Sequence, residues 1–432
     1  MKPARYIPPE IWDHITSFLW DEECHKPVPH RRPTALYNLC LTSRYLYGIA
    51  IRYLYGGFYA ASDTITLFMR TIHLVPKYRV YLKRLMIGID LGLDDPDHNI
   101  NVNGPKLVRS IAREFGISWK SELGEQLQSS HWKIGLLIMI FYLAPNLESI
   151  WFPVKGPDDR PWSTIFNSWF STVGAHKSSA PLALSSLRNI DYRCIGNMAR
   201  RQPPLQEHDI EEYPYIPIIP PLLQLPNLKK LSLQAALMPH PHSYPADRFS
   251  SLEKLYIATS VWSAAGLEAM LKRTPKLKVL ALDLYSHDVT SFNYSNRVEQ
   301  LGKAVWVVRD TLEGLVLHSE KSEFSQAQEY WDYMCGFRKF KKLRALRVTS
   351  SCWRMPEPEG DEWDKKALKC RFFTESVKLF PASLESFSYK RSRLKEEFWM
   401  MQKDPGSGKW FKKKRNTDRW VHLDYETLAS KS

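Results

Sequence analysis

The stretch that decides the fold is Leu277-Lys278-Val279-Leu280-Ala281-Leu282, which follows Thr274-Pro275-Lys276. It has the form L-x-x-L-x-L, and its last two apolar positions alternate with other residues, as a strand with one buried face requires. The preceding proline ends a helix-like stretch, Ser263 to Arg273, at the point where the apolar period changes. The sequence here therefore predicts a helix followed by a short, half-buried strand.

Similar hexads recur through most of the chain. In order they are Leu82-Leu85-Ile87, Leu147-Ile150-Phe152, Leu187-Ile190-Tyr192, Leu228-Leu231-Leu233, Leu252-Leu255-Ile257, Leu277-Leu280-Leu282, Leu312-Leu315-Leu317, Leu343-Leu346-Val348 and Leu384-Phe387-Tyr389. Subtraction of their first positions gives spacings of 65, 40, 41, 24, 25, 35, 31 and 41 residues. Only two of these spacings fall within about 20 to 29 residues, the length of a regular leucine-rich repeat.

A single hexad has little weight, because the same spacing also arises in an amphipathic helix. Nine hexads in order, separated by helix-like stretches, indicate a repeat array that resembles irregular leucine-rich repeats with long insertions. The spacing of 65 residues leaves room for a degenerate repeat. The resemblance implies an α/β fold in which a right-handed solenoid carries a parallel sheet on its concave face.

Length and composition are typical of a globular protein with more than one domain. The 432 residues exceed the roughly 250 to 300 at which a single core stops growing. Hydrophobic residues make up 44% of the chain, which excludes the disordered class. The longest apolar run, Ile134 to Ala144, has 11 residues and falls short of the roughly 20 in a membrane-spanning helix. We expect a buried helix there and no membrane contact.

The cysteines and the N-terminus indicate the compartment. The six cysteines are scattered without a C-x-x-C pair, which argues against a disulfide framework or a zinc ribbon. Met1 to Glu10 is not followed by the apolar run of a secretory signal. We therefore expect a reducing compartment, either the cytoplasm, the nucleus or both.

The first 55 residues follow a different pattern. The prolines of Ile7-Pro8-Pro9-Glu10 suit the first turn of a helix. An apolar stripe at helical spacing comes next, formed by Ile11, Ile15, Phe18 and Leu19. The acidic, proline-containing segment Trp20 to Thr34 is predicted to be a loop. A second apolar group is Leu36, Leu39, Cys40 and Leu41, after which Thr42-Ser43 is placed to cap a third helix.

These segments in this order resemble an F-box of the kind found in filamentous fungi. The resemblance is carried by Ile7 to Leu19, by Leu39 to Leu46 and by Tyr53 to Tyr55. The chain departs from the family pattern in two places. Isoleucine stands where leucine usually opens the motif, and Trp20 to Thr34 lengthens the first loop, which bears on the edge of the partner surface.

An F-box implies docking on a Skp-type adaptor and, through it, on the cullin of an SCF ubiquitin ligase. The resemblance places apolar anchors at Ile7, Pro8, Ile11, Ile15 and Leu19, with the surface extended by Leu39 and Cys40. Glu10 would give a polar contact or favour the helix start. The chain would then be a non-catalytic receptor whose repeats hold a protein target. The alternative is an interaction scaffold that uses the same surface without ubiquitination.

A simpler interpretation is that the three helices only pack against the rest of the chain. About fifty residues bury little surface by themselves, so such a subdomain needs a partner or a neighbouring domain. We expect an F-box domain over residues 1–60, an irregular leucine-rich-repeat solenoid over 61–395 and a basic C-terminal segment over 396–432.

Several segments outside the hexads bear on partners. The proline-rich stretch Arg201 to Pro226 is an insertion that acts as a covering loop or lines the partner site. Side chains near strand ends that would contact a target, or pack in the core, are Trp262, Tyr285, His318 and Trp353.

The basic charge is concentrated near the C-terminus. Lys390 to Arg419 carries 11 Lys and Arg against 4 Asp and Glu, which is half of the net charge of +14. The run Lys409 to Arg415 includes two aromatic residues, a combination that suits nucleic acid. One such cluster without a base-reading domain is more typical of a solvated face, so we do not predict nucleic-acid binding.

Signatures of catalysis are missing from the sequence. Gly406-Ser407-Gly408-Lys409 has part of a phosphate-binding loop, but Lys403 replaces its first glycine and Trp410 its magnesium-binding hydroxyl, so we expect a turn. Neither H-E-x-x-H nor G-x-S-x-G occurs. Cys24-His25 with His30 lacks the second ligand pair of a zinc site. We predict no catalytic residue, no cofactor and no metal.

Overall fold

A computed structural model describes the chain over residues 7–25, 34–60, 64–87, 103–116, 132–154, 185–194, 222–223, 225–234, 250–258, 264–283, 302–318, 335–349, 380–390, 398–403, 406–407 and 410–414. The chain forms two compact units. The first consists of Met1–Ile195 with Leu225–Leu228, and the second of Gly196–Gln224 with Lys229–Ser432. The boundary therefore falls inside the predicted solenoid.

The first unit opens with three helices and continues as alternating helices and strands. The helices are α1 (Pro9–His25), α2 (Thr34–Thr42), α3 (Arg44–Leu54), α4 (Ile65–Leu74), α5 (Asn103–Glu114) and α6 (Trp132–Leu143), with a short 3₁₀ helix over Pro76–Tyr81. The strands are β1 (Gly57–Ala60), β2 (Arg84–Ile87), β3 (Ser149–Val154) and β4 (Asn189–Cys194). They pair in chain order and all run parallel, which requires a crossover between successive strands.

The second unit continues the same pattern and ends in a hairpin. Its parallel strands are β5 (Lys230–Gln234), β6 (Lys254–Ala258), β7 (Val279–Asp283), β8 (Gly314–His318), β9 (Ala345–Thr349) and β10 (Ser386–Lys390). Helix α7 (Ala264–Lys272) lies between β6 and β7, and a 3₁₀ helix over Cys335–Lys339 precedes β9. Two antiparallel strands follow, β11 (Phe398–Lys403) and β12 (Trp410–Lys414).

All nine hexads coincide with strands, β2 to β10 in order. The fourth residue of each hexad is at most 1% exposed, and within each unit neighbouring hexads align in register, as in Leu85 with Ile150 and Leu255 with Leu280. Burying leucine at the same register position of successive parallel strands builds a continuous apolar layer. The prediction of an α/β fold with parallel strands is confirmed, whereas the right-handed solenoid stays a prediction.

Strand β1 was not predicted, although it repeats the hexad in weaker form. Its residues Phe58 and Ala60 align with Leu85 and Ile87 of β2. Counting back gives Tyr55-x-x-Phe58-x-Ala60, which has the same spacing with an aromatic and a small residue in place of leucine. The sheet therefore begins at Gly57, inside the segment that the sequence assigns to the F-box domain.

Three predicted local features are confirmed. The apolar run Ile134 to Ala144 lies in and just after α6, where Leu136 to Phe141 are fully buried. The stretch Ser263 to Arg273 contains α7. Ser43 caps α3, because its hydroxyl oxygen accepts a hydrogen bond from the Leu46 N–H at 3.1 Å.

The prediction of a loop from Trp20 to Thr34 is wrong over its first six residues and at Thr34, which begins α2. Helix α1 continues through Trp20 and ends at His25. The first proline of this segment is Pro27, and the residue before a proline is disfavoured in helical geometry. The helix can therefore run on to His25, and residues 26–33 lie outside the described part of the chain.

The predicted basic C-terminal segment is partly strand. Strands β11 and β12 lie within residues 396–432, and Gly406-Ser407 forms the turn between them, as predicted. Residues 396–397, 404–405, 408–409 and 415–432 of this segment lie outside the described part. Among the helices in the described residues, none is long and apolar enough to cross a bilayer.

Alanine substitutions at two glycines, Gly48 within α3 and Gly56 just after it, are expected to change stability in opposite directions. An alanine Cβ at Gly48 meets nothing within 4 Å, whereas at Gly56 it meets the Arg52 and Tyr53 carbonyl oxygens at 3.1 and 3.2 Å. Gly48→Ala is expected to raise the free energy of unfolding by about 0.5–1 kcal/mol, since alanine is the better helix former. Gly56→Ala is expected to lower it by about 1–3 kcal/mol, the range for overpacking.

Urea unfolding of both variants, followed by circular dichroism, measures the two effects against wild type. A loss of stability in Gly48→Ala as large as that in Gly56→Ala would contradict the described geometry of α3 and its C-terminal end.

Candidate functional site

Helix α1 carries large apolar side chains on the face that points away from its neighbours. Thr16 marks the inner face and is 1% exposed. Ile11, Ile15 and Phe18, at helical steps of four and three, lie on the opposite side. Together with Ile7 we call them the outer stripe, and their exposed fractions are 39% for Ile7, 50% for Ile11, 36% for Ile15 and 62% for Phe18. Such a row of exposed apolar side chains is typical of an interaction site.

The inner face of α1 is fixed to α3 by polar contacts. The Asp13 carboxylate accepts hydrogen bonds from the Arg52 guanidinium and from the Tyr53 hydroxyl, the latter at 2.7 Å. The Thr16 hydroxyl donates to the Trp12 carbonyl oxygen at 2.6 Å within the helix. Because Asp13 and Thr16 lie on the side that meets α3, the outer stripe is turned to solvent.

The start of α1 explains the two prolines. The Pro8 carbonyl oxygen accepts from the Ile11 and Trp12 N–H groups at 3.1 and 3.2 Å. Pro9 is the first helical residue, a position whose N–H would have no partner in the helix. Pro8 and Glu10 are both exposed beside Ile7 and Ile11. The structure thus brings four of the predicted site residues together at one end of α1, with Ile15 one turn further on.

Helix α2 divides its apolar residues between two faces. Leu36 is fully buried, and the predicted site residues Leu39 and Cys40 beside it are half-buried. Burial raises the pKa of the Cys40 thiol, so the thiol is held in its neutral form. The exposed apolar side chains of this helix are instead Tyr37 and Leu41, at 54% and 67%.

The exposed set differs in part from the predicted one. Leu19, which the sequence places among the anchors, is half-buried. The sequence places Phe18 in the apolar stripe but not among the site residues, and it is the most exposed large apolar side chain in the described part of α1. A helical-wheel comparison with Thr16 and Asp13 separates the two faces, but a sequence alone does not say which face is buried.

An aromatic stack joins the three helices to the first strands. Tyr55, directly after α3, stacks on Tyr78 with ring centroids 4.5 Å apart. Phe58 of β1 stacks on Phe68 of α4 at 3.7 Å. The hydroxyls of Tyr47 and Tyr78 lie 2.5 Å apart, and this bond raises the pKa of Tyr47. These contacts hold α3, β1 and the 3₁₀ helix as one packed cluster.

Trp20 of α1 and Gly56 after α3 also contact the first strands. The Arg84 guanidinium of β2 lies over the Trp20 ring, 4.2 Å from its centroid. The Gly56 carbonyl oxygen, between α3 and β1, accepts from the Lys83 and Arg84 N–H groups at 2.9 and 3.0 Å. The three-helix segment therefore contacts β2 through Trp20 of α1, and Gly56, which follows α3, is hydrogen-bonded to the start of β2.

A row of alternating charges runs along the second unit, at the position after the first leucine of each hexad. We call Lys229, Glu253, Lys278, Glu313, Arg344 and Glu385 the edge row. Glu253 bridges its neighbours, with Lys229 Nζ at 2.6 Å and Lys278 Nζ at 3.3 Å. Each main-chain carbonyl of the row up to Arg344 accepts two N–H groups from the next repeat. The row therefore helps to fix the register of successive strands.

The edge row predicts a pH-dependent contribution to stability from Glu253. The hydrogen bond from Lys229 holds the pKa of Glu253 below its ordinary value, against the effect of burial, and Lys278 adds to the lowering. A folded-state pKa below the unfolded one gives stability that is present above about pH 5 and is lost as the pH falls through the folded pKa. Glu253→Gln should therefore cost up to about 1 kcal/mol at pH 7 and nothing at low pH.

Urea midpoints of wild type and Glu253→Gln, measured between about pH 3 and pH 7, check this expectation. Glu268→Gln is the matched control, since Glu268 pairs with Lys272 at 2.6 Å on the exposed surface of α7. A wild-type advantage that grows as the pH falls would contradict the sign of the effect.

The other sequence candidates lie apart from the outer stripe or outside the described residues. Cys24 and His25 end α1, while His30 is not described. His318 ends β8 and is half-buried. Residues 201–221, Trp262, Tyr285 and Trp353 lie outside the described ranges. Within those ranges, no group of three or more His, Cys, Asp or Glu side chains is placed to hold a metal ion.

No protein-family model matches the chain, and no curated protein matches its sequence. Function is therefore inferred from the surfaces of the chain itself.

Proposed function

We propose that this chain is a substrate-recognition subunit of an SCF-type, cullin-based ubiquitin ligase. In this proposal α1 to α3 bind a Skp-type adaptor, and the repeats that carry the parallel strands bind a protein target. The observation that carries the proposal is the outer stripe, an exposed apolar row on a helix whose other face is already bonded to α3.

Several features of the three helices support a protein interface there. Besides the outer stripe, exposed apolar side chains are present on α2 at Tyr37 and Leu41 and on α3 at Tyr45. Interface centres are typically rich in aromatic and aliphatic side chains of this kind. Covering them removes apolar surface from water at about 25 cal/mol per Å², which favours association. Pro8, Glu10 and Ser43 shape the starts of α1 and α3 and so keep this surface ordered.

The role of the chain in such a complex is to create proximity. It would hold a target near the charged ubiquitin carrier and so raise the effective concentration of a target lysine there. The first unit supports this role, because the outer stripe and β1 to β4 belong to the same packed body. The bond-making step would belong to other subunits.

The test is affinity recovery of the full chain with the adaptor and cullin. Wild type should recover both, and Pro8→Ala/Ile11→Ala should recover neither, while its circular dichroism spectrum stays unchanged. Leu67→Ala is the matched control, since Leu67 of α4 is 55% exposed, close to the 50% of Ile11. Equal adaptor recovery by wild type and the double variant, with folding intact, would overturn the docking proposal.

The same experiment separates a ligase receptor from an interaction scaffold. A receptor brings cullin and ubiquitin conjugates with the adaptor. Recovery of the adaptor without cullin or conjugates would replace the ligase proposal with the scaffold.

A further inference from the structure

The sheet of the second unit has one apolar layer and one mixed face. The fourth and sixth residues of each hexad form the apolar layer, so the third, fifth and seventh positions lie on the opposite face of the sheet, which we call the second face. In β5 these positions are Lys230, Ser232 and Gln234, which are half-buried. In the middle of the second face, small apolar residues are buried, namely Val279, Ala281 and Val316.

Charge is distributed unevenly between the edge row and the second face. In the edge row, acids and bases alternate and Glu253 is ion-paired on both sides. Among the second-face positions of β5 to β10 whose side chains the structure describes, the charged residues are Lys230, Lys254 and Arg347, and all three are cationic. The face is therefore suited to a partner of negative charge.

Two of these lysines stand directly opposite each other. Lys230 of β5 and Lys254 of β6 are register partners in the parallel pair. Like charges at directly opposite positions destabilise a sheet. Among the described residues, the Lys254 ammonium has neither a hydrogen bond nor an ion pair. Burial holds the pKa of Lys254 below its ordinary value, and Lys230 lowers it further, while Glu253 acts in the opposite sense. An anion between the two ammonium groups would remove this cost.

The surroundings favour a protein segment over a nucleic acid. Tyr256 lies beside the pair, with Lys230 Nζ 5.3 Å from its ring centroid. Nucleic-acid grooves rely on exposed aromatic rings that stack on bases. Tyr256 is only 7% exposed, so its ring has no free face for a base. Lys230 and Lys254 also place two cations side by side at one register position. A nucleic-acid groove needs a row of cations that follows the phosphate backbone.

We propose that the second face of β5 and β6 binds an anionic segment of a partner protein, with Lys230 and Lys254 contacting its carboxylate or phosphate oxygens. Ser232, which is half-buried in register with Tyr256, supplies a hydroxyl next to this position. The inference depends on the proposed function only in treating this partner as the target to be delivered. The binding itself needs no adaptor.

The experiment uses fluorescence anisotropy with the purified full chain and three labelled peptides. One peptide is rich in glutamate, the second has phosphoserine at the same positions, and the third has glutamine there. The first or the second peptide should bind and the third should not. Which of the two binds more tightly identifies carboxylate or phosphate as the anion. Failure of both charged peptides to bind would overturn the proposal.

Variants locate the site. Lys254→Gln is expected to weaken binding of the charged peptide about tenfold or more, the factor for a charge-assisted hydrogen bond. Lys276→Gln is the matched control, since Lys276 is an exposed lysine in the turn before β7, and it should bind as wild type does. Equal affinity of Lys254→Gln and wild type would overturn the assignment of the site.

Stability separates a binding role from a structural one. Lys230→Gln removes one of two like charges and is expected to raise the thermal midpoint by about 1–3 °C while it weakens peptide binding. A lowered midpoint would mean that the lysines serve the fold, and it would overturn the proposal. A single-stranded RNA that competes through the same lysines more strongly than either peptide would also overturn it, in favour of a nucleic-acid site.

Adaptor recovery from the same preparations keeps the two proposals apart. Lys254→Gln should recover the adaptor as wild type does, because its site is on the second unit. Peptide binding without adaptor recovery by wild type would leave the anion site standing and remove the ligase function. Adaptor recovery without peptide binding would leave the ligase function standing and remove the anion site.

Discussion

Replacing Leu280 with alanine is expected to lower the free energy of unfolding of the second unit by about 3 kcal/mol. Leu280 is fully buried in β7, between its register partners Leu255 and Leu315. A buried leucine-to-alanine change loses the transfer free energy of the removed atoms and leaves a cavity, and together these cost about 2–5 kcal/mol. The parallel strands on either side are fixed by main-chain bonds and have little freedom to close that cavity.

Urea unfolding followed by circular dichroism measures this loss, and the curve should be fitted with a transition for each unit. Leu74→Ala is the comparison, since Leu74 of α4 is 68% exposed and its removal should change stability by less than about 0.5 kcal/mol. Equal losses in Leu280→Ala and Leu74→Ala would mean that the hexad leucines do not form the apolar layer.

If the proposed function holds, replacing Phe18 with alanine is expected to weaken binding of the proposed Skp-type adaptor by about 2 kcal/mol, or roughly thirtyfold, without loss of stability. Exposed aromatic side chains at the centre of an interface often reach this value. Phe18 is 62% exposed, so its removal leaves no cavity in the free protein. Leu39→Ala should show the opposite pattern, because Leu39 is half-buried beside Leu36 and supports the fold of α2.

Titration calorimetry with the purified adaptor gives the affinities, and thermal unfolding gives the stabilities. The two variants test which face of the three-helix segment meets the adaptor. A larger affinity loss in Leu39→Ala than in Phe18→Ala, at unchanged stability, would place the interface on the Leu39–Cys40 side and not on the outer stripe.

The strands could be predicted from the sequence because the spacing of apolar residues in each hexad is that of a strand with one buried face. Leucine at the first, fourth and sixth positions fits a turn into a strand with one buried face, and all nine hexads became strands of parallel pairs. Strand β1 is not predicted from the sequence, because Gly57 and Ala60 carry too little apolar surface to mark a buried face. The end of α1 is not marked in the sequence, because the acidic run Asp21-Glu22-Glu23 and the prolines from Pro27 onward together have the composition of a loop.

The site could be predicted only as a set of residues and not as a surface. Helix α1 has large side chains on both faces, Ile11 and Phe18 on one and Trp12 and Leu19 on the other. The choice between them is made by long-range contacts, chiefly Asp13 with Arg52 and Tyr53, which lie about forty positions away in the chain. Helical periodicity contains no information about such partners.

The short link between α3 and β1 makes the direction of the outer stripe depend on the number of residues in α3. Only Tyr55 and Gly56 separate the helix from the strand, and both are held, by the aromatic stack and by the bonds to the Gly56 carbonyl. Adding one residue to an α-helix rotates everything beyond it by about 100° and advances it by about 1.5 Å. A single insertion in α3 would thus aim the outer stripe in a new direction relative to β1 to β4. The number of residues between Ser43 and Gly57 therefore determines how any partner bound to α1 is oriented relative to β1 to β4.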